Sequence, residues 1–412
     1  MIVLSGADLV LPDRILTPGT LVIDGGRIAD IRPGASSGRS AGHAGSHFAF
    51  HGHYIVPGFV DVHVHGVDGT DSLDGAGAVA AIAARLPRYG VTAFCPTTIA
   101  CAPDALRHVL AQVGAARGTP EPRAARVLPA HLESNFLNPE YRGAQPARCL
   151  RTAREALDGT GTSGAAGAFT GADILGEIER AAPDVGIVTI ASEIDGGLDL
   201  VAWLAARGHR VSLGHSGATY DEALAAIAAG ARQATHLFNR MPAVGHRSPG
   251  LAGAVLQADE VAAEIICDGF HVHPAVVRTA VAAKRPSRVM AITDGTAASG
   301  LPVGRRASLG GQPITVGESA ALLDDGTLAG SVLTMEKAFQ VLVGRIGLSL
   351  VDAATLCATT PARELGLVGH GVLAPDAAAD LVVLDSRLSV VQTYVGGRLV
   401  YARANVPPPD SV

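Results

Sequence analysis

Between residues 57 and 370, short apolar runs alternate with longer alanine-rich stretches. The runs are Val91-Thr92-Ala93-Phe94, Arg126-Val127-Leu128-Pro129-Ala130, Gly186-Ile187-Val188-Thr189-Ile190-Ala191, Arg210-Val211-Ser212-Leu213, Glu264-Ile265-Ile266-Cys267 and Arg288-Val289-Met290-Ala291-Ile292, all strand-like in length and content. Helical stretches such as 173–181 and 219–229 fill the gaps between them. Repeated strand-helix units of this length form a parallel sheet, and about eight of them predict an α/β fold of the (β/α)8 TIM-barrel type. A doubly wound open sheet is the alternative, but it gathers many strand ends less readily.

The two ends of the chain read differently. Leu21-Val22-Ile23, Asp24-Gly25-Gly26 and Arg27-Ile28-Ala29 have the chemistry of a hairpin, and no helix is evident before residue 56. A Gly/Ser/Ala/His stretch over 34–52 reads as a loop. Strands return in Ala379-Asp380-Leu381-Val382-Val383-Leu384-Asp385 and Val390-Val391-Gln392-Thr393-Tyr394-Val395, the latter closed by Gly396-Gly397. The expected organisation is a small β-sandwich domain from residues 1–56 and 371–412 around a barrel at 57–370.

Candidate chemistry sits where the apolar runs stop. Asp61-Val62-His63-Val64-His65 follows a strand-like run, and side chains two apart on an extended chain share a face, so His63 and His65 can reach one ion. His131-Leu132-Glu133, Leu213-Gly214-His215-Ser216, Ala234-Thr235-His236-Leu237 and Ile292-Thr293-Asp294-Gly295 end in the same way. In a (β/α)8 barrel the carboxyl ends of the strands meet at one face, which makes these five stretches one candidate site. Histidine pairs alone do not establish metal: His51-Gly52-His53 lies in a glycine-rich loop and His271-Val272-His273 precedes Pro274 at a helix start. Locally, Asp294 also reads as a helix N-cap and Glu133 as a surface carboxylate. A carboxylate after an apolar strand is costly to bury without a partner, and a cation is a natural one.

Composition narrows the classes. At 412 residues, 48% hydrophobic and 4% aromatic, the chain can bury a large core. A net charge of -6 argues against a nucleic-acid partner. Only Lys284 and Lys337 are lysines, against thirty arginines, a bias of composition rather than of function. Cys95, Cys101, Cys149, Cys267 and Cys357 form no CxxC pair, which argues against a disulfide framework and leaves a reducing cytoplasm as the expected location. No basic segment followed by an apolar stretch opens the chain, and no apolar run reaches about 18 residues, so no membrane association is expected.

Taken together, Pro57-Gly58-Phe59-Val60-Asp61-Val62-His63-Val64-His65-Gly66, His131-Leu132-Glu133, Arg142-Gly143-Ala144-Gln145-Pro146, Gly214-His215-Ser216, Thr235-His236-Leu237-Phe238-Asn239, His246-Arg247-Ser248-Pro249-Gly250, Asp268-Gly269-Phe270-His271, Thr293-Asp294 and Leu328-Ala329-Gly330-Ser331 resemble the N-acetylglucosamine-6-phosphate deacetylases of the amidohydrolase superfamily. The resemblance spans nearly the whole chain. It implies a metal site of Glu133, His215 and His236, with His63 and His65 available for a second ion beside Glu133 and Asp294. Zinc is the expected ion, with iron or manganese as the alternatives. It implies Asp294 as the acid/base, and Ala144, Gln145, Asn239, Arg240, Arg247, His271 and the Leu328-Ala329-Gly330 turn as substrate contacts. Arg247 is expected to reach in from the neighbouring subunit of a homodimer. Neither lysine lies in a segment matching a bridging ligand, which argues against the carbamylated-lysine branch. The chain departs from the family pattern at Ser134-Asn135, where Gly-Pro is usual, at Gln145, where many members have histidine, and at Arg240, where a small residue is usual. The implied activity is deacetylation of N-acetylglucosamine 6-phosphate. The alternatives are the same hydrolysis of a related N-acyl amino sugar, such as N-acetylgalactosamine 6-phosphate or an unphosphorylated sugar, and a non-catalytic sugar-phosphate binding protein.

Overall fold

In a computed structural model describing residues 1–35, 46–160 and 168–404, eight parallel strands form a barrel. They are β1 (Phe59–Val64), β2 (Val91–Thr98), β3 (Ala130–Glu133), β4 (Val185–Ile190), β5 (Arg210–Leu213), β6 (Gln233–Ala234), β7 (Ala262–Ile266) and β8 (Val289–Ile292). From β1 to β8 each strand pairs in parallel with the next, with register shifts in the β1–β2 and β3–β4 ladders. Their near-continuous apolar sequences follow from burial on both faces, and every residue of β1 and β2 is buried. Closure between β8 and β1 is narrower: Val64 bridges Gly295, and Asp294 N–H donates to His63 C=O at 2.9 Å. Asp61 adds a side-chain clasp, accepting from His63 N–H, Thr293 N–H and, at 2.6 Å, the Thr293 hydroxyl.

Local sequence explains the helices between. Thr219 and Glu222 form a capping box that starts helix Tyr220–Ala228, and Thr170 and Asp173 do the same for helix Gly171–Arg180. The run at 126–130 is not one strand. Arg126–Val127 pairs with β2, Pro129 has no N–H to continue the ladder, and β3 begins at Ala130.

The chain ends form one eight-stranded sheet, seven of its strands in the order Arg398–Ala402, Val390–Val395, Leu381–Leu384, Tyr54–Pro57, Ile2–Val10, Ile15–Asp24, Arg27–Pro33 and the eighth, Ser46–Ala49, paired with Ile2–Val10 off this path. It folds back on itself, bringing Ile23 and Ile28 near one end of the strand order and Tyr394 near the other into one buried cluster, so a single sheet serves as both layers of the expected sandwich. Two expectations change. The loop expected over 34–52 contains strand Ser46–Ala49, parallel to Ile2–Ser5, while residues 36–45 lie outside the described residues. A three-stranded sheet, Arg306–Leu309, Gln312–Val316 and Ala321–Leu323, follows β8 inside the range expected as barrel but forms a sheet separate from it. Among the described residues no helix is long and apolar enough to cross a membrane.

Asp380 joins barrel and sheet. Only 2% exposed, it takes Arg126 Nε and Nη2 at 3.2 and 3.1 Å, His370 Nδ1 at 2.8 Å and Gly396 N–H at 2.6 Å. Burial alone would raise its pKa, but His370 and Arg126 outweigh that and lower it. A depressed carboxyl pKa stabilises the fold above the unfolded value of about 4, and the effect is lost as pH falls through the folded value. Asp380→Asn should therefore cost roughly 3 kcal/mol in urea unfolding at pH 7. The gap to wild type should narrow in melts taken below about pH 4.

Candidate active site

His215, His236 and Asp294 each stand two residues beyond the last residue of their strand, β5, β6 and β8, and each has a positive φ: 49°, 30° and 47°. That left-handed turn, uncommon outside glycine, swings each side chain inward over the carboxyl end of the barrel. Glu133 ends β3, and His63 and His65 straddle the end of β1. Asp294 caps no helix. Gly330, at φ 62°, packs against it so closely that an added Cβ would stand 2.9 Å from Asp294 C=O.

The six groups converge. Glu133 Oε1 lies 3.0 Å from both His215 Nε2 and His236 Nε2, which are 3.1 Å from each other. On the other side His63 Nε2 and His65 Nε2 are 3.2 Å apart, and Asp294 Oδ1 is 3.3 and 3.2 Å from them. Glu133 lies between the two halves, 3.7 Å from His63 and 3.6 Å from His65.

The donor set fits a divalent cation. His215 Nδ1 is 2.9 Å from Tyr141 C=O, which can only accept, so the ring proton sits on Nδ1 and the Nε2 lone pair faces Glu133. His63 Nδ1 is likewise turned onto Glu264 Oε2 at 2.9 Å. Lone pairs and a carboxylate aimed at one another require positive charge between them. The same demand shows in His63: burial alone would lower its pKa, yet Asp294, Glu264 and Glu133 raise it to about 10. His131 is excluded as a ligand although it lies beside His63 and Glu264. Its Nδ1 faces Val62 C=O at 2.9 Å and its Nε2 faces the Thr189 hydroxyl at 2.8 Å, leaving no free nitrogen.

A cavity of about 470 Å³ opens above this cluster, bordered by His65, Glu133, His215, His236 and Asp294. Of the expected substrate contacts, Ala144, Gln145, Asn239, Arg240, His271, Leu328 and Gly330 line it as well. Ala329 is fully buried behind Leu328, and Arg247 lies exposed away from the cavity wall. Gln145 also orients the glutamate, because its Oε1 accepts from Ala100 N–H at 2.7 Å while its Nε2 donates to Glu133 Oε2. His271 is held by Asp268 at 2.6 Å, while His273 caps helix Pro274–Lys284.

The amidohydrolase family pattern matches residues 200–400. The N-acetylglucosamine-6-phosphate deacetylase of Rattus norvegicus is 36% identical over 420 residues, covering 97% of this chain and 94% of its own. The enzyme of that name from Lysinibacillus sphaericus is 33% identical over 356 residues, covering 84% and 86%. A mutant of the Mycobacterium smegmatis N-acetyl-D-glucosamine-6-phosphate deacetylase, solved in complex with N-acetyl-D-glucosamine-6-phosphate, superposes with a TM-score of 0.84 at 31% identity, covering 97% of this chain and 99% of that one. This chain belongs to the N-acetylglucosamine-6-phosphate deacetylase family.

Within this deacetylase scaffold, several supporting residues carry no ligand-like signal in the sequence. Glu264, inside β7 and fully buried, holds His63 Nδ1 and also takes Gln233 Nε2. Glu193 ties two loops together, accepting from Asn138 Nδ2 on the Tyr141 side and from Ser216 and Gly217 beside His215. The lysines are remote from the bridging position: Lys284 donates to Ala258 C=O from a helix, and Lys337 lies in helix Met335–Val341.

A carboxylate behind a ligating imidazole fixes the ring and raises its basicity, and its loss typically costs 10–100-fold in metal affinity. Glu264→Gln should weaken divalent-cation binding at the His63–His65 half by about that factor, read by chelator competition on metal-free protein. Affinity equal to wild type would remove Glu264 from this role.

Proposed function

We propose that this chain hydrolyses the acetamide of N-acetyl-D-glucosamine 6-phosphate, releasing D-glucosamine 6-phosphate and acetate. The observation that carries the reading is one cavity lined both by the Glu133–histidine–Asp294 cluster and by Asn239, Arg240 and His271. A sugar ring between them would place its acetamide on the first and its phosphate on the second.

Glu133, His215 and His236 would hold the principal cation, and His63 and His65 a second one beside Glu133 and Asp294. Zinc suits such a His/carboxylate set, as do iron and manganese. When bound, the cation polarises the acyl carbonyl and lowers the pKa of water at the site. The chain's own residues do the rest. Burial would raise the pKa of Asp294, but His63, His65 and His236 lower it, so the carboxylate stands ionised and able to take a proton from the attacking water. The same carboxyl then delivers that proton to the sugar nitrogen as the C–N bond breaks, and the leaving group departs as a neutral amine. Gln145 keeps Glu133 in place throughout. At the far end His271 and the 239–240 backbone would hold the phosphate. Arg247, exposed and without an ion pair among the described residues, would complete that end from the neighbouring subunit of a homodimer. All five cysteines are buried and free, which suits a reducing cytoplasm.

Amine release should be fast with N-acetylglucosamine 6-phosphate and slow with the unphosphorylated sugar. Asp294→Asn should lower kcat by about 10²–10⁴-fold with its metal content retained. Turnover confined to the unphosphorylated sugar would overturn the phosphate end of this reading. For the homodimer, co-expressed Arg247→Ala and Asp294→Asn subunits should recover about a quarter of wild-type activity at substrate well below KM, because only the mixed dimer rebuilds one intact site. No recovery would place Arg247 in its own subunit's site, and an Arg247→Ala protein as active as wild type on its own would place it outside any site.

A further inference from the structure

After β6 and β7 the cavity is lined by Asn239, Arg240 and His271 beside the apolar Phe238, Met241 and Ile266; a separate apolar wall, Ile99, Leu309 and Leu328, comes from the segments that follow β2 and β8. Ile99 directly follows β2, and Leu309 ends the first strand of the inserted three-stranded sheet; each is only 3% exposed.

The tip of the inserted hairpin, Leu309-Gly310-Gly311-Gln312, is pinned to the barrel at three points. Gly310, at φ 54°, lies so close to Ile99 that any Cβ would collide with Ile99 Cδ1 and Cγ1. Its N–H donates to Asp71 Oδ2 at 3.3 Å. Gln312 Nε2 donates to Ala144 C=O at 2.9 Å. Leu309 and Ile99 therefore belong to one packed cluster, shared with Ala298, Ile314 and Ala329, that has no freedom to retreat.

This wall stands beside the reacting groups. Ala100, next to Ile99, donates its N–H to Gln145, whose amide is on Glu133. Leu328 is two residues from Gly330, which packs on Asp294. With the acyl carbonyl among Glu133, His215, His236 and Asp294, the amide nitrogen is tied to a sugar ring that runs towards Asn239 and His271. The alkyl end of the acyl group then has the opposite direction left to it, onto Ile99 and Leu309. We propose that Ile99 and Leu309, fixed by the pinned hairpin tip, gauge the length of the acyl chain, admitting acetyl and rejecting longer chains. The inference rests on the amino-sugar deacetylase reading and adds to it the acyl class.

The test compares kcat/KM for the N-acetyl, N-propionyl and N-butyryl forms of glucosamine 6-phosphate. Wild type should favour acetyl over propionyl by about 10-fold or more, as one methylene against a fixed apolar wall commonly gives. Leu309→Ala should raise the propionyl-to-acetyl ratio by about 10-fold, and Ile99→Val, which removes one methyl group, should shift it in the same direction by less. Should Leu309→Ala fail to fold, Ile99→Val decides. A ratio unchanged in a variant that unfolds cooperatively on heating, with acetyl still turned over, would overturn the gauge alone. Wild-type protein that turns over none of the three sugars would overturn the substrate reading, and the gauge with it.

Discussion

A carboxylate among four imidazoles, none of the five more than 5% exposed, is the constraint on which the rest of this structure depends. In a dry interior Glu133 could not be left unpaired, and imidazole lone pairs could not be aimed at it, without positive charge at the centre. The surrounding residues make sense as answers to that demand. Tyr141 C=O and Glu264 set the tautomers of His215 and His63, Gln145 turns its amide hydrogens onto Glu133, and Asp61 clasps β8 to β1 beneath the cluster. Burial raises the Asp61 carboxyl to about 6, against the hydrogen bonds from Thr293 and His63 that lower it. The clasp is therefore itself a buried group that depends on its donors.

The same demand accounts for the backbone. Placing side chains from separate strands on one point requires each to turn sharply at the strand's end, and His215, His236 and Asp294 do so in left-handed conformations that cost on the order of 1–3 kcal/mol each. Such strain persists only where the surroundings over-determine it. Here the barrel supplies that rigidity: seven of its eight seams are parallel ladders, and the eighth is made by the residues that carry the site, through Val64, His63, Asp294 and Gly295. Closing the barrel and assembling the site are therefore one event.

Much of this was legible in the sequence, because an apolar run followed by a ligand-type residue is a local signal. His63, His65, Glu133, His215, His236 and Asp294 all carry it. Glu264 does not: it opens an apolar run and reads as any strand residue, since alternation along one strand cannot tell a barrel's interior from its outside. Gln145 reads as a loop amide, and its grip on Glu133 exists only once Ala100 has taken its oxygen. The hairpin after β8 had a cue in Gly310-Gly311 between two short runs, but the regular strand-helix rhythm before it drew the whole region into the barrel. Ser46–Ala49 pairs with the first strand from inside a stretch whose composition says loop. Arg247 stands exposed on a single chain, and no feature of that chain alone can place it at a neighbour's site.

The two ends of the cavity also divide the work of recognition and rate. Arg240, on the cavity wall, is exposed and makes no ion pair among the described residues, on a chain whose net charge is -6. Exposed cations act across solvent, where salt screens them beyond roughly 8 Å at physiological ionic strength. A phosphate held there, as proposed, would be the same dianion in the ground state and in the transition state, so those contacts would bear on KM. The Glu133 end is dry and pre-oriented, and the charge it meets changes as the carbonyl becomes tetrahedral and the nitrogen takes its proton, so its contacts bear on kcat. A chain that loses cationic side chains at the wet end keeps its chemistry at high substrate concentration. A chain that loses the geometry of the dry end cannot recover it by binding more tightly elsewhere.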